Sequence, residues 1–291
     1  MKIIDGKKVS IEVLDEIKSS VENRAKNSLK IPHLAAILVG DDGPSQTYVN
    51  SKIKACDRVG FKSSLFKYND SISEQDLISE IQKVNNNDDI DGFIVQLPLP
   101  KKINQEKILS QVAPHKDVDG FHPINYGKMA LGLDTFLPAT PAGIIELIKR
   151  SKIQTEGKKC LVIGRSQIVG RPISILLSQS KVFGNSTVTV AHSKTINLKE
   201  LCIDSDLIIS AIGSPEFIKG NMIKKGSTII DVGITRVDDS SSNKGYRIVG
   251  DVDFNSVSDS VGYITPVPGG VGPMTIAMLL QNTLKACSLS D

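Results

Sequence analysis

Along most of the chain, short runs of β-branched and apolar residues alternate with segments whose apolar positions recur at three- and four-residue spacing. The short runs predict strands at 34–39, 64–68, 92–95, 160–163, 187–191, 207–210, 228–232 and 247–249. The periodic segments predict helices at 10–26, 45–59, 73–86, 105–112, 141–151, 171–180, 198–202 and, after Pro273, at 274–286. Regular alternation of the two predicts parallel sheets covered on both faces, an α/β architecture. A break at 138–141, where Pro138 and Pro141 flank Ala139 and Thr140, predicts two domains. The Ser-, Asp- and Asn-rich stretch 238–245 reads as an exposed, mobile loop tip.

The length of 291 residues, 40% of them hydrophobic, allows each domain its own core. A net charge of +3 is not gathered into basic blocks, and only 4% of residues are aromatic, so no nucleic-acid platform is expected; small anionic ligands stay open. Cys56, Cys160, Cys202 and Cys287 form no Cys-x-x-Cys pair and read as reduced core residues of a cytoplasmic protein. The N-terminus has no apolar signal core and no apolar run reaches membrane-spanning length, so no membrane association is expected. His33, His115, His122 and His192 lie far apart and no His-Glu-x-x-His occurs, so no metal site is expected either.

Several segments carry candidate chemistry. Pro266-Val267-Pro268-Gly269-Gly270-Val271-Gly272-Pro273 joins fixed and free backbone ahead of an apolar helix; such a loop presses peptide groups on a flat or anionic ligand, or makes a tight connection. The strand at 160–163 runs into Gly164-Arg165-Ser166-Gln167-Ile168-Val169-Gly170 and a helix, a nucleotide-site context without a strict Gly-x-Gly-x-x-Gly. The strand at 187–191 ends in His192-Ser193-Lys194-Thr195, with no acid for a ribose hydroxyl. Arg165, Ser193 and Lys194 suit a 2′-phosphate, hence NADP, unless they are solvated surface groups. Tyr48 and Lys52 share one face of the 45–59 helix, an arrangement able to hold a planar heterocycle and handle its protons, though surface amphipathicity produces the same pair. Gln96 ends the 92–95 strand, where ligands of parallel sheets bind. Asp117 and Asp119 lie in one turn-like loop, and turn chemistry alone accounts for one of them.

Taken together, these segments resemble the bifunctional methylenetetrahydrofolate dehydrogenase and methenyltetrahydrofolate cyclohydrolase family. The likeness runs in order through Val39-Gly40-Asp41-Asp42, Tyr48 with Lys52, Val95-Gln96-Leu97-Pro98-Leu99-Pro100, Lys116-Asp117-Val118-Asp119-Gly120-Phe121, Thr140-Pro141 with Gly143, Gly164-Arg165-Ser166, His192-Ser193-Lys194-Thr195, Asp231-Val232-Gly233-Ile234, Gly250-Asp251-Val252 and the loop before Pro273. Ala139 departs from the cysteine that members often carry before Thr-Pro, and the length matches the family's short form.

The resemblance implies two α/β domains separated by an interdomain cleft. An N-terminal folate-binding catalytic domain would be built from 1–140 plus 274–291, and a Rossmann-like NADP-binding domain from 141–273, with helices at 141–151 and 274–286 as crossings. It implies oxidation of 5,10-methylenetetrahydrofolate with NADP, hydrolysis of the methenyl product to 10-formyltetrahydrofolate, a role in one-carbon metabolism, and a homodimer. Carried over residue by residue, the catalytic lysine falls on Lys52, the folate-stacking tyrosine on Tyr48, the lysine-tuning glutamine on Gln96 and the pterin-binding aspartate on Asp119. Val95, Leu97, Pro268, Gly269, Gly270, Val271 and Gly272 join these in the folate site, and Gly164, Arg165, Ser166, Ser193 and Ile234 hold the cofactor. A short-chain dehydrogenase also uses Tyr-x-x-x-Lys, but there the pair follows the nucleotide turn, whereas Tyr48 and Lys52 precede Gly164. A non-catalytic NADP-binding regulator would keep the 164–170 turn with no need of Lys52, Gln96 and Asp119.

Overall fold

In the computed structural model, residues 1–242 and 245–290 are described. The chain begins with β1 (Lys2–Ile3), α1 (Gly6–Lys26), β2 (His33–Val39), α2 (Gly43–Val59), β3 (Lys62–Tyr68), α3 (Glu74–Asn85) and β4 (Gly92–Val95). It continues through α4 (Gln105–Leu109), α5 (Pro123–Ala130), α6 (Ala139–Arg150), β5 (Lys159–Ile163), α7 (Gly170–Ser178), β6 (Thr187–Ala191) and α8 (Leu198–Asp204). The last third holds β7 (Leu207–Ser210), β8 (Thr228–Asp231), β9 (Thr235–Asp238), β10 (Tyr246–Val249), α9 (Phe254–Val257), β11 (Tyr263–Ile264) and α10 (Val271–Ser288).

Two compact units result, one of Met1–Ser10 with Thr140–Thr275, the other of Ile11–Ala139 with Ile276–Asp291. In the first, a sheet ordered β1-β11-β8-β7-β5-β6 is parallel at every pairing. In the second, β3-β2-β4 is parallel throughout. β4, β7 and β8 are buried at every position and β2 at all but His33, as expected of strands covered on both faces. Ile37, Val39, Leu77, Ile81, Phe93, Val95 and Ile108 form the core that welds α3 and α4 to the smaller sheet. Each such side chain contributes roughly 1.5–3 kcal/mol by leaving water.

Three expectations are corrected. Residues 1–10 belong with the second-half domain, because Lys2 and Ile3 pair with Tyr263 and Ile264, and Gly6 lets the chain lie on the Gly270 carbonyl where any Cβ would collide. The unit boundary therefore falls within α1 as well as at α6 and α10. The strand expected at 247–249 joins no parallel sheet; as β10 it pairs antiparallel with β9 in a two-stranded ribbon. The C-terminal helix starts at Val271 rather than at 274, while Pro273 sits in its first turn, as its place ahead of the apolar run predicts. Of the 238–245 loop tip, positions 243 and 244 lie outside the described residues.

Candidate active site and nucleotide rim

Asp42 caps α2 by accepting from the Ser45 N–H at 2.9 Å, and Pro44 lies in its first turn. Val49, Cys56 and Val59 bury the opposite face, which sets Tyr48 (46% exposed) and the half-buried Lys52 on the other side, one turn apart. Lys52 Nζ donates to Gln96 Oε1 at 3.0 Å. The glutamine is itself oriented: its Nε2 donates to the Leu97 carbonyl at 2.7 Å, which leaves Oε1 to face the amine. Val95 is buried at the end of β4, and Leu97 and a cis Leu97–Pro98 bond follow Gln96 out of the sheet.

The structure separates the two aspartates of the 117–120 turn. Asp117, 4% exposed, accepts from the Phe121 N–H at 3.1 Å, the His122 N–H at 2.8 Å and Asn125 Nδ2 at 2.8 Å. It is the turn-former, and burial pushes its carboxyl up to about 6. Val118 locks the turn to β4: Gly92 leaves room where a Cβ would strike a Val118 methyl, and the Phe93 N–H donates to the Lys116 carbonyl at 3.0 Å. Asn282 of α10 adds a bond from Nδ2 to the Val118 carbonyl at 2.8 Å. Asp119 is thereby left with no protein hydrogen bond among the described residues, its charge close enough to Lys52 that each acts on the other. Burial dominates both, lowering Lys52 and raising Asp119, and the mutual attraction offsets it only in part. Asp117, Asn125 and Asn282 were not among the expected site residues. Asn125 and Asn282 had a signal, a polar amide inside an apolar helical pattern; the choice between Asp117 and Asp119 had none.

In the other unit, Gly164 (φ +119°) ends β5 in a turn whose next wall is the Ala211 carbonyl, and Gly170 opens α7 directly on the Gly164 carbonyl. Side chains at either position would collide with backbone. Ser166 Oγ accepts from the Val169 and Gly170 N–H groups at 3.2 and 3.3 Å, which leaves its own O–H to donate. Arg165 is exposed and has no carboxylate partner among the described residues. Beyond β6, Ser193 is exposed at the tip of a turn closed by Thr195 N–H to the His192 carbonyl at 2.8 Å, and Ile234 is exposed after β8. The loop at Pro268, Gly269, Gly270, Val271 and Gly272 is anchored within this unit by the Lys7 N–H, which donates to the Gly269 carbonyl at 2.8 Å.

The family model described as the catalytic domain of tetrahydrofolate dehydrogenase/cyclohydrolase matches residues 4–119, and that of the family's NAD(P)-binding domain matches 138–291. The chain belongs to the tetrahydrofolate dehydrogenase/cyclohydrolase family. A relative named bifunctional protein FolD, from Christiangramia forsetii, is 59% identical over 98% of this chain and 96% of its own. Among solved structures, the bifunctional FolD methylenetetrahydrofolate dehydrogenase/cyclohydrolase of Campylobacter jejuni is 45% identical, with a TM-score of 0.93 and 99% of both chains covered. The Trypanosoma brucei dehydrogenase-cyclohydrolase, solved with NADP and an inhibitor, is 36% identical with a TM-score of 0.93, covering 99% of this chain and 97% of that one.

The residues present fit a bound dinucleotide in this family. The collapsed glycine turn brings peptide groups to the α7 N-terminus, where a pyrophosphate is favoured, and α7 has no acidic residue in its first turn. Arg165 and Ser193 supply donors of the kind a 2′-phosphate takes.

Proposed function

We propose that this chain oxidises 5,10-methylenetetrahydrofolate to 5,10-methenyltetrahydrofolate with NADP and hydrolyses that product to 10-formyltetrahydrofolate. The observation that supports it most directly is the bond from Lys52 Nζ to an oriented Gln96 Oε1, beside an Asp119 that the turn keeps unengaged. Folate is assigned to the unit of Ile11–Ala139 with Ile276–Asp291, and NADP to the unit of Met1–Ser10 with Thr140–Thr275.

When bound, NADP supplies the hydride acceptor. Hydride leaves the methylene carbon without a proton, so the chain's task in that step is alignment. Asp119 accepts from adjacent pterin N–H groups, the Tyr48 ring lies against the folate, and Val95 and Leu97 line it. Hydrolysis is a proton problem. Water adds to the methenyl carbon, the carbon–N5 bond breaks, and the oxygen becomes the formyl carbonyl; of the two water protons, one ends on N5 and one is released. Lys52 Nζ moves these protons, since burial draws its pKa down towards the range where an amine both accepts and returns one.

A homodimer and a cytoplasmic location are part of the same proposal. The first is supported by β6, which ends the larger sheet with Val190 39% exposed on it and Ile196 82% exposed beyond it. The second is supported by four free, buried cysteines. No helix among the described residues is long and apolar enough to cross a membrane. The test is an absorbance assay of the purified protein with methylenetetrahydrofolate and NADP or NAD, following reduced nicotinamide and methenyl product separately, with light scattering for mass. The reading requires NADP-dependent oxidation without lasting methenyl accumulation; oxidation with neither cofactor would overturn it.

A further inference from the structure

Two buried carboxylates meet at the carboxyl ends of β7 and β8. Asp251 is 0% exposed and Asp231 3%. Asp251 Oδ2 accepts from the Ile212 N–H at 2.8 Å and Ser210 Oγ at 3.1 Å, while Oδ1 accepts from the Ser214 N–H at 2.9 Å. Asp231 Oδ1 accepts from the Gly233 and Asp251 N–H groups, both at 2.9 Å, and Oδ2 from the Val252 N–H at 2.9 Å. Neither has an ion-pair partner among the described residues. The pair is interlocked: the Asp231 carboxylate lies on Gly250, next to Asp251, and the Asp251 carboxylate lies on Gly233, two residues after Asp231, each where a Cβ would collide.

Two anions buried together without a cation are costly, and closing a turn does not demand them, since serine or asparagine closes turns elsewhere at less expense. Burial, with the Asp251 charge adding to it, already pushes Asp231 up to about 6. The N–H donors they gather tell what they organise. Ile212 and Ser214 flank Gly213, which is exposed at φ +67° with open space where a side chain would be. Gly233 precedes the exposed Ile234, and Ala211, between Ser210 and Ile212, is the wall against which Gly164 folds the nucleotide turn. These exits are the carboxyl rim of a parallel sheet, where dinucleotides lie.

We propose that Asp251, with Asp231 locked against it, is a positioning residue for the dinucleotide, holding the β7 exit at 212–214 and the β8 exit at 233–234 in the shape that receives it. The proposal rests on the reading that NADP binds at this rim. It touches the cofactor only through backbone, so it acts on NADP and NAD alike, unlike Arg165.

The test is Asp251→Asn, which keeps the shape but sets an amide NH2 against N–H donors. Three quantities are measured on the purified protein: KM and kcat of the dehydrogenase with NADP and with NAD, the cyclohydrolase rate on supplied methenyltetrahydrofolate, and the melting temperature. KM for both cofactors is expected to rise about tenfold by the same factor, since a charge-assisted contact is lost, with the cyclohydrolase within about twofold of wild type. A KM unchanged in a folded variant, or a fall in both activities that tracks a lower melting temperature, overturns the proposal. Should Asp251→Asn not fold, Ser210→Ala removes a single bond to Asp251 and is expected to raise both cofactor KM values about threefold, a change of well under one tenfold step; no rise overturns it. Wild-type protein that oxidises methylenetetrahydrofolate with neither cofactor would instead defeat the functional reading itself.

Discussion

Gln96 offers a quantitative handle on the proton-transfer group. Its Oε1 accepts from Lys52 Nζ at 3.0 Å and cannot turn away, because Nε2 is tied to the Leu97 carbonyl at 2.7 Å. A hydrogen bond to an ammonium contributes about 1.5–3 kcal/mol and one to a neutral amine about 0.5–1.5, so the glutamine favours the protonated form by about 1–1.5 kcal/mol. At about 1.36 kcal/mol per pKa unit, Gln96→Met should lower the Lys52 pKa by about one unit beyond the lowering that burial already causes. Gln96→Glu places a negative charge at the same point and should raise it. The assay is the pH profile of cyclohydrolase kcat/KM, which reports groups of the free enzyme. The limb due to Lys52 should move to lower pH by about one unit in Gln96→Met and to higher pH in Gln96→Glu. A limb that stays in place in both variants, or moves the same way, refutes the assignment of that limb to Lys52.

Arg165→Ala should lose about ten- to a hundredfold in NADP usage with little change for NAD; equal losses with both would show that Arg165 does not read the 2′-phosphate. Asp119→Ala should depress both reactions while NADP binding and melting temperature stay near wild type, because among the described residues Asp119 has no protein hydrogen bond to lose; a variant that melts early but works when folded would assign Asp119 to the turn instead. Asp117, pushed up to about 6 by burial, contributes stability that is fully present below the ordinary aspartate value of 3.8 and lost as pH rises through about 6. In urea titrations between pH 4 and 7.5, the stability advantage of wild type over Asp117→Asn should therefore shrink with rising pH by on the order of 3 kcal/mol; a pH-independent difference would contradict the shift.

Much of the fold was legible because local pattern and tertiary demand agree. Gly92–Val95, Thr187–Ala191 and Leu207–Ser210 are apolar or β-branched runs with clear borders, and their bounds were read without error. What escaped depends on distant partners. β1 is only Lys2–Ile3 and exists because Tyr263 and Ile264 lie beside it; β9, Thr235–Asp238, alternates over too few residues to signal itself and is completed by β10. α5, Pro123–Ala130, did carry a signal that was missed, a His122 cap whose Nδ1 accepts from the Ile124 N–H, followed by proline in the first turn. In the candidate site, the shared face of Tyr48 and Lys52 followed from helical spacing. The bond from Lys52 to Gln96 spans 44 positions and no spacing rule reaches it. The division of labour between Asp117 and Asp119 was equally hidden, since both sit in one turn and only the donors around Asp117 tell them apart.

On the proposed reading, Lys52 carries the protons of hydrolysis while hydride transfer needs only alignment. Lys52→Met keeps the length of the side chain and removes the amine, so its behaviour in a coupled assay with methylenetetrahydrofolate and NADP separates the two reactions. Cyclohydrolase is expected to fall by about 10²- to 10⁴-fold, the usual contribution of a positioned acid–base group, while NADP reduction continues and methenyltetrahydrofolate accumulates. Hydrolysis of the methenyl compound by Lys52→Met at the wild-type rate would contradict it.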